Sequence, residues 1–565
     1  MRVDRARLGA GVALLALSLL LPSTPLASLL SELPVAERSR ALGLLAACLA
    51  CGGLALMLLA RFGDALDGPG LPPGLLGVPP VQQQPAKPWA LLGIMTLGLA
   101  LRIPGLDGDL WIDEIVTLAY YLRLPIFKVV QSYASANQHL FYSVLGSGSV
   151  SLLGENAVAA RLPALIFGIA TLPALYFLAR RFSTEREALL ASLLLATSYH
   201  HVWFSQSARG YSAMIFFATA GTGLFVDGLA SNRAATWRRY VACMTLGVLS
   251  LQNTAFVVVG HAAACFLLLL RSRRVDLLGA PVMRRMATSL ALVGLLSLAG
   301  HSLVFFRMRE FFASVDRTGL GFDFAEFWPV LLRGLTTGLG AAGLLVLALV
   351  VGAGLWSYLE QSPLLAGLLV LPGLFNVAAI VTLRFGAYPR SFLYVLPVAL
   401  LLGVRGLGVL GEAACRASAR FVGVPFCAER MQRLIAVVLA SSCITLVHNY
   451  RYPKQDYRGA LHYVRGQMAA RDEIAAVGLA AVAYRLRYGP ELRFPEDPAE
   501  LRGLVSPDRG LWVLFSFRRD MRLRFPAMLD AIDADFTVVA RFRGTLGDGD
   551  LYVARPRAAT DTARP

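Results

Sequence analysis

The chain is a succession of apolar blocks parted by short polar segments. Blocks near 8–30, 39–61, 88–104, 161–179, 188–204, 210–229, 239–252, 254–270, 287–306, 330–356, 364–383, 391–410 and 432–448 approach the length a helix needs to cross a bilayer, about 20 residues. The pattern predicts an all-α polytopic membrane protein with about 13 transmembrane helices. The first block follows Met1-Arg2-Val3-Asp4-Arg5-Ala6-Arg7. It reads as a signal anchor, because no clear small-x-small cleavage site leads into a soluble stretch. Past 449 the pattern changes. Gly510–Ser516, Phe536–Ala540 and Leu551–Ala554 read as short strands, the last after the turn Gly547-Asp548-Gly549-Asp550. Asp456–Arg471 reads as a helix, and Ala558–Pro565 as a frayed end.

Three parts follow from this pattern. Residues 1–87 hold two extra N-terminal transmembrane helices and a cytoplasmic linker, Leu66–Lys87, rich in Pro and Gly with Gln82-Gln83-Gln84. Residues 88–448 form the main membrane body with a large outer loop at 105–160. Residues 449–565 form a small C-terminal extracytoplasmic α/β domain. No internal repeat at solenoid spacing is present.

Arginine placement sets the orientation. Arg180, Arg181 and Arg186 share one short loop. Arg233, Arg238 and Arg239 lie in the next on that side, then Arg271, Arg273, Arg274, Arg284 and Arg285, then Arg416, Arg420, Arg430 and Arg433. These alternate as the positive-inside rule requires if the N-terminus is cytoplasmic. The opposite side then receives 105–160, 205–209, 307–329, 384–390 and everything after 449. The tail is Arg-rich too, but long domains translocate largely regardless of charge.

Composition supports the membrane assignment. Of 565 residues 56% are hydrophobic and 16% charged, against about 25% charged in soluble domains. Mean hydropathy is +0.60. The net charge of +17 sits mostly in short loops, which speaks for topology and against nucleic-acid binding. Seven cysteines make no disulfide framework. Cys48 and Cys51 lack the second Cys or His pair that a zinc site needs.

Candidate chemistry falls at the outer ends of the blocks. The large loop carries Asp107-Gly108-Asp109-Leu110-Trp111-Ile112-Asp113-Glu114. One of these carboxylates suits a general base on an acceptor hydroxyl, if it is positioned and partly desolvated. The same residues also suit a solvated turn or a helix N-cap at Asp113. Asp107-Gly108-Asp109 faces a compartment without nucleotide sugars and reads as a turn. A second cluster runs from Ser198 to Tyr211 and holds His200, His201, Gln206 and Arg209. Adjacent histidines on a helix point about 100° apart, so packing or hydrogen bonding is favoured over a shared metal. Arg209 either contacts a phosphate or snorkels to lipid headgroups. A third cluster, Arg384–Phe392, offers Arg390 as a bidentate phosphate donor. Arg307 and Arg309 begin another outward loop. Walker A, G-x-G-x-x-G and G-x-S-x-G signatures are absent, and mid-span charge, the mark of a transporter, is scarce.

Four segments together resemble the GT-C glycosyltransferases that use polyprenyl-phosphate sugars, and within them the family 39, protein-mannosyltransferase-like proteins, which are similar to the aminoarabinose lipid A transferases. Leu110-Trp111-Ile112-Asp113-Glu114 resembles the acidic signature of the first outer loop. Asn137–Tyr142, Ala160–Leu165 and Tyr176–Arg181 resemble the stretch through the next span. Trp203–Tyr211 resembles the outer-end motif, and Tyr388–Phe392 with Lys454–Ala460 the late segments. The resemblance spans roughly 88–475. It implies inverting transfer from a lipid-phosphate sugar to a glycolipid, polysaccharide or protein acceptor. Asp113, with Glu114, is then catalytic. Arg209, Arg390, Arg161, His139, Tyr211 and Gln206 then serve the donor and its leaving phosphate. No cofactor is expected beyond the polyprenyl-phosphate sugar donor, with a divalent metal left open, and the partners are membrane lipid, donor and acceptor, not nucleic acid. The usual Pro beside His139 is Leu140 here, and the first two spans are additions. The rival readings are a transporter or flippase of lipid-linked sugars and a non-catalytic subunit of an envelope glycan assembly complex. The resemblance also places the chain in the cell membrane.

Overall fold

A computed structural model describes residues 5–21, 33–77, 87–314, 329, 332, 340–383, 389–421 and 443–557. The Gln82-Gln83-Gln84 tract, Arg384, Tyr388, Arg430, Arg433, parts of the blocks at 8–30, 330–356 and 432–448, and the expected fraying at 558–565 lie outside the described residues.

Among the described residues, seven helices are long and apolar enough to cross a membrane, and the chain is a multi-pass membrane protein. Shorter apolar helices accompany them at Pro88–Ala100, Leu140–Leu153 and Leu345–Gln361. Helices α1 (Arg5–Leu20) and α2 (Val35–Phe62) pack tightly where Gly11 and Gly53 meet. A Cβ on either would come 2.7 Å from the other's carbonyl oxygen, so only glycine permits the approach.

Two expectations about the elements change. The loop at 105–160 is largely helical. It holds α3 (Ile112–Thr117) and α4 (Leu140–Leu153), both with buried faces. α5 (Ala157–Ala179) follows directly, with Asn156 Oδ1 accepting from Ala159 N as its N-cap. The block at 188–204 is two helices, α6 (Glu185–Thr197) and α7 (Tyr199–Ser205), parted where Ser198 turns extended with ψ 123°. Thr184 and Glu187 form a reciprocal capping box that starts α6. The break turns the chain ahead of α8 (Tyr211–Ser231).

The tail carries the expected helix as α9 (Tyr457–Gln467) and the expected strands, plus one more. The strands are β1 (Glu473–Ala476), β2 (Leu511–Ser516), β3 (Phe536–Phe542) and β4 (Leu551–Pro556), in the order β1-β2-β4-β3. β1 pairs parallel to β2, and the remaining pairs are antiparallel. β2 is buried along its whole length, which suits a central strand with both faces covered.

Candidate active site

The site grows from the first turn of α3. Trp111 is its N-cap, and the Trp111 amide donates to Glu114 Oε2 at 3.2 Å. Asp113 and Glu114 are neighbours on the helix, so their side chains diverge by about 100°. They meet different partners.

Glu114 turns inward and is fully buried. Arg161, in the first turns of α5, grips it with Nε to Oε1 at 2.9 Å and Nη2 to Oε2 at 2.6 Å. The Ala208 amide donates to Oε1 at 2.6 Å, and Lys454 Nζ stands 3.6 Å away. Burial pushes the carboxyl up, but the two cations and the hydrogen bonds outweigh it and hold its pKa at about 2. One carboxylate balances only one of two cations. Burial therefore drives Lys454 well below the ordinary lysine value despite Glu114. Lys454 Nζ also donates to Gln206 O and to Ser207 Oγ, and lies 4.5 Å from the centre of the Trp203 ring.

Asp113 turns the other way and keeps 18% of its side chain exposed. Its Oδ2 stands 3.5 Å from Arg209 Nη1 and 3.5 Å from Arg390 Nη1. Arg209 is buried in the turn between α7 and α8. It also donates to Asn137 Oδ1 and lies over the Tyr211 ring at 5.7 Å. Arg390 lies in a turn of 3-10 helix, Pro389–Val395, and over the Trp111 ring at 6.0 Å. His139 completes this side. The Gly210 amide donates to its Nδ1 at 2.7 Å, so the neutral ring carries its proton on Nε2. Burial, then Arg209 and Arg390, push its pKa well below the usual histidine value, which keeps the ring neutral. Its Nε2 faces Arg209 Nη2 at 3.3 Å. Among the described residues, two donors thus face each other with no acceptor between them. Gly210 is required here: a Cβ would fall 2.4 Å from Ser250 O and 2.8 Å from His139 Nδ1.

The tail straps the loop in place. Gln455 Oε1 accepts from the Ile112 amide at 2.9 Å. Arg458 pairs with Asp109 at 3.1 Å, and Tyr488 Oη accepts from Leu110 N at 2.9 Å. Thr545 N donates to Pro453 O at 2.9 Å, and Trp203 Nε1 donates to Thr545 Oγ1 at 3.0 Å.

The structure brings Asp113, Arg209, Arg390, His139 and Tyr211 together and gives three other residues different work. Arg161 has no donor left for a phosphate. Its Nη1 serves Leu106 O and Gly108 O at 2.9 Å each, and its Nη2 also serves Asp109 O at 2.9 Å. Gln206 braces the backbone, donating to Arg102 O at 3.0 Å and to Pro104 O while accepting from Asn449 at 3.0 Å. Glu114 is sealed among cations and holds the loop rather than reaching the cleft. Lys454, Gln455 and Asn137 are added to the set. All three lie in segments that carry the sequence resemblance, which was the only signal for them. Asp107-Gly108-Asp109 forms a turn, with Gly108 N donating to Gly105 O at 3.2 Å. His200 is exposed, whereas His201 is buried against Arg102, 2.7 Å from its Nη2. Arg307 pairs with Glu37 at 2.8 Å.

Residues 140–299 match the family model for dolichyl-phosphate-mannose-protein mannosyltransferase. The match, a little over a quarter of the chain, runs from α4 past α8. It takes in Arg161, Gln206, Arg209 and Tyr211. Asp113, Glu114, His139 and Arg390 lie outside it. No curated protein matches the chain. Similar solved structures include ArnT from Cupriavidus metallidurans bound to undecaprenyl phosphate, at 14% identity and TM-score 0.47, covering 85% of this chain and 100% of that one. The Archaeoglobus fulgidus oligosaccharyltransferase follows at 13% identity and TM-score 0.46, covering 80% and 71%. The arabinosyltransferase EmbB from Mycobacterium smegmatis is similar at 13% identity and TM-score 0.45, covering 79% and 47%.

Proposed function

We propose that this chain, whose residues 140–299 match the dolichyl-phosphate-mannose-protein mannosyltransferase family, is an integral-membrane glycosyltransferase. It moves a sugar from a polyprenyl-phosphate donor to an extracytoplasmic acceptor, with inversion. One observation carries the reading: Arg209 and Arg390 converge at 3.5 Å on a single buried oxygen of Asp113, whose side chain as a whole stays 18% exposed.

A phosphate entering this space finds the acceptor-free donors of Arg209 and His139 and a second guanidinium at Arg390. It competes with Asp113 for both cations and so frees the carboxylate oxygen. That oxygen takes the proton of the acceptor hydroxyl. The hydroxyl oxygen bonds to the sugar's anomeric carbon on the face opposite the phosphate, and the bond from that carbon to the phosphate oxygen breaks. Polyprenyl phosphate leaves with its charge held by the two arginines. Each charge-assisted contact is worth about 2–4 kcal/mol where water is excluded. One base and one stabilised leaving group suffice, so no second carboxylate is needed across the bond. Glu114 and Arg161 position the base, and the tail braces the loop.

The transferase sits in the cell membrane with its N-terminus cytoplasmic and its tail extracytoplasmic. Alkaline phosphatase fused after Tyr452 should be active and after Arg274 inactive; the reverse would put the site on the wrong face. The decisive test uses the full chain in nanodiscs with a set of polyprenyl-phosphate sugars and envelope extracts. Release of polyprenyl phosphate with a glycosylated product is expected. Movement of intact lipid-linked sugar across a bilayer without bond cleavage would make the chain a transporter instead. Mass spectrometry of envelope glycans from a deletion strain identifies the acceptor.

A further inference from the structure

Where the outer loop meets the tail, a cavity of about 420 Å³ opens to the outside. Arg123 and Glu155 line it from the loop side, and Arg458, Arg465, Arg487 and Tyr488 from the tail side. Glu155 receives Arg123 through Nε and Nη2, both at 2.8 Å, and Arg487 through Nη1 at 3.0 Å. Arg458 spends its Nε on Asp109, and Arg465 an Nη2 on Glu491. Among the described residues, four guanidiniums at this cavity thus share three carboxylates, and each keeps donors unspent.

A brace between loop and tail needs only the Arg123–Glu155–Arg487 link. Arg458 and Arg465 add cations to the same wall with only Asp109 and Glu491 beside them, so one of the four positive charges stays unbalanced. Arg458 and Arg487 also lie over the Tyr488 ring, at 5.7 and 6.0 Å. Planar guanidiniums with free forks around one hollow make a receptor for a tetrahedral or planar oxyanion. The Tyr488 hydroxyl accepts from Leu110 N and donates to Leu110 O at 3.3 Å, three residues ahead of Asp113. One loop therefore joins this cavity to the reacting carboxylate.

We infer that this cavity is an anion-binding site that docks a phosphate or carboxylate group of the acceptor. The word acceptor rests on the transferase reading; the binding of an anion does not. The test is isothermal titration of the full chain in phosphatidylcholine nanodiscs, with glucose 1-phosphate, glucuronate and glucose as probes. At least one of the two anions should bind, more weakly as salt rises, and glucose should not. The double variant Arg465→Gln/Arg487→Gln should weaken anion binding about tenfold or more. Its melting temperature should fall only slightly, since the pairs lost are largely exposed and Glu155 keeps Arg123, and Arg465→Lys/Arg487→Lys should recover part of the binding. Arg209→Ala/Arg390→Ala should leave it in place, which separates this site from the donor pocket. Nanodiscs of phosphatidylglycerol distinguish the source. Loss of soluble-anion binding there assigns the site to a lipid-borne anion, and retention assigns it to a soluble glycan. Neither anion binding to wild type, equal binding to the glutamine variant, or loss of binding in Arg209→Ala/Arg390→Ala would each overturn the site. A chain that binds these anions but transfers no sugar would leave this inference standing and sink the transferase reading alone.

Discussion

Asp113 and Glu114 are adjacent in the chain, and each faces two cations, yet they occupy opposite kinds of environment. Around Glu114 the cations are Arg161 and Lys454, everything is buried, and every N–H of Arg161 is spent. Around Asp113 the cations are Arg209 and Arg390, neither comes closer than 3.5 Å, and 18% of the side chain is exposed. Similar residue types thus make a closed fastening on one side and an open receptor on the other. Close, saturated pairs resist exchange. A carboxylate whose nearest cations stand off at 3.5 Å leaves room for a ligand to take one partner's place. Exposure, more than charge, sets apart the side proposed to be reactive.

The largest expected effect divides the two directly. Asp113→Asn should cut turnover by a factor on the order of 10²–10⁴ and leave the melting temperature unchanged. Wild-type turnover in the purified variant would remove Asp113 as the base. Glu114→Gln and Arg161→Met should do the opposite kind of damage. Removing one partner of a buried pair strands the other, at a cost of about 3–5 kcal/mol, seen as a lower melting temperature in detergent. If both variants melt like wild type, the closed cluster is not holding the loop.

Acid should act on the closed side next. The Glu114 pKa is depressed to about 2 from an ordinary 4.5. Its stabilising share is therefore fully present above pH 4.5 and is lost as pH falls through 4.5 to 2. That share amounts to about 3 kcal/mol. Thermal melts against pH should show this acid-sensitive component in wild type and its absence in Glu114→Gln. Arg209→Lys and Arg390→Lys should have the smallest effect, about tenfold in kcat/KM, with kcat itself lowered because the lost fork matters most as phosphate charge grows. Unchanged kinetics in both would make these arginines interface anchors.

The apolar blocks and the outer-end clusters were legible because both follow from local pattern. Asp113, Arg209 and Arg390 each sit just beyond a span, where charge in a charge-poor chain stands out. Which acid of an adjacent pair faces the cleft was not legible, since that depends on Arg161, 47 residues away. The spent donors of Arg161 and Gln206 were equally hidden. They satisfy backbone carbonyls of the 102–109 turn, and a carbonyl leaves no trace in residue type. The helix break at Ser198 was masked by continuous apolar character on both sides. β1, four residues reading Glu-Ile-Ala-Ala, is too short for period to declare it; its pairing with the buried β2 makes it a strand.

The strap formed by Lys454, Gln455 and Arg458 has a consequence for how the protein is made. The loop at 109–114 leaves the ribosome more than 340 residues before the groups that pin it. Until the last stretch of membrane body is inserted and residues 545–549 close over the 453–455 segment, Ile112 N and Leu110 N have no tail partners. A nascent or truncated chain therefore displays the acidic loop without its clamp. The clamp can form only after synthesis of the tail, so a half-built copy in the bilayer holds that loop unpinned.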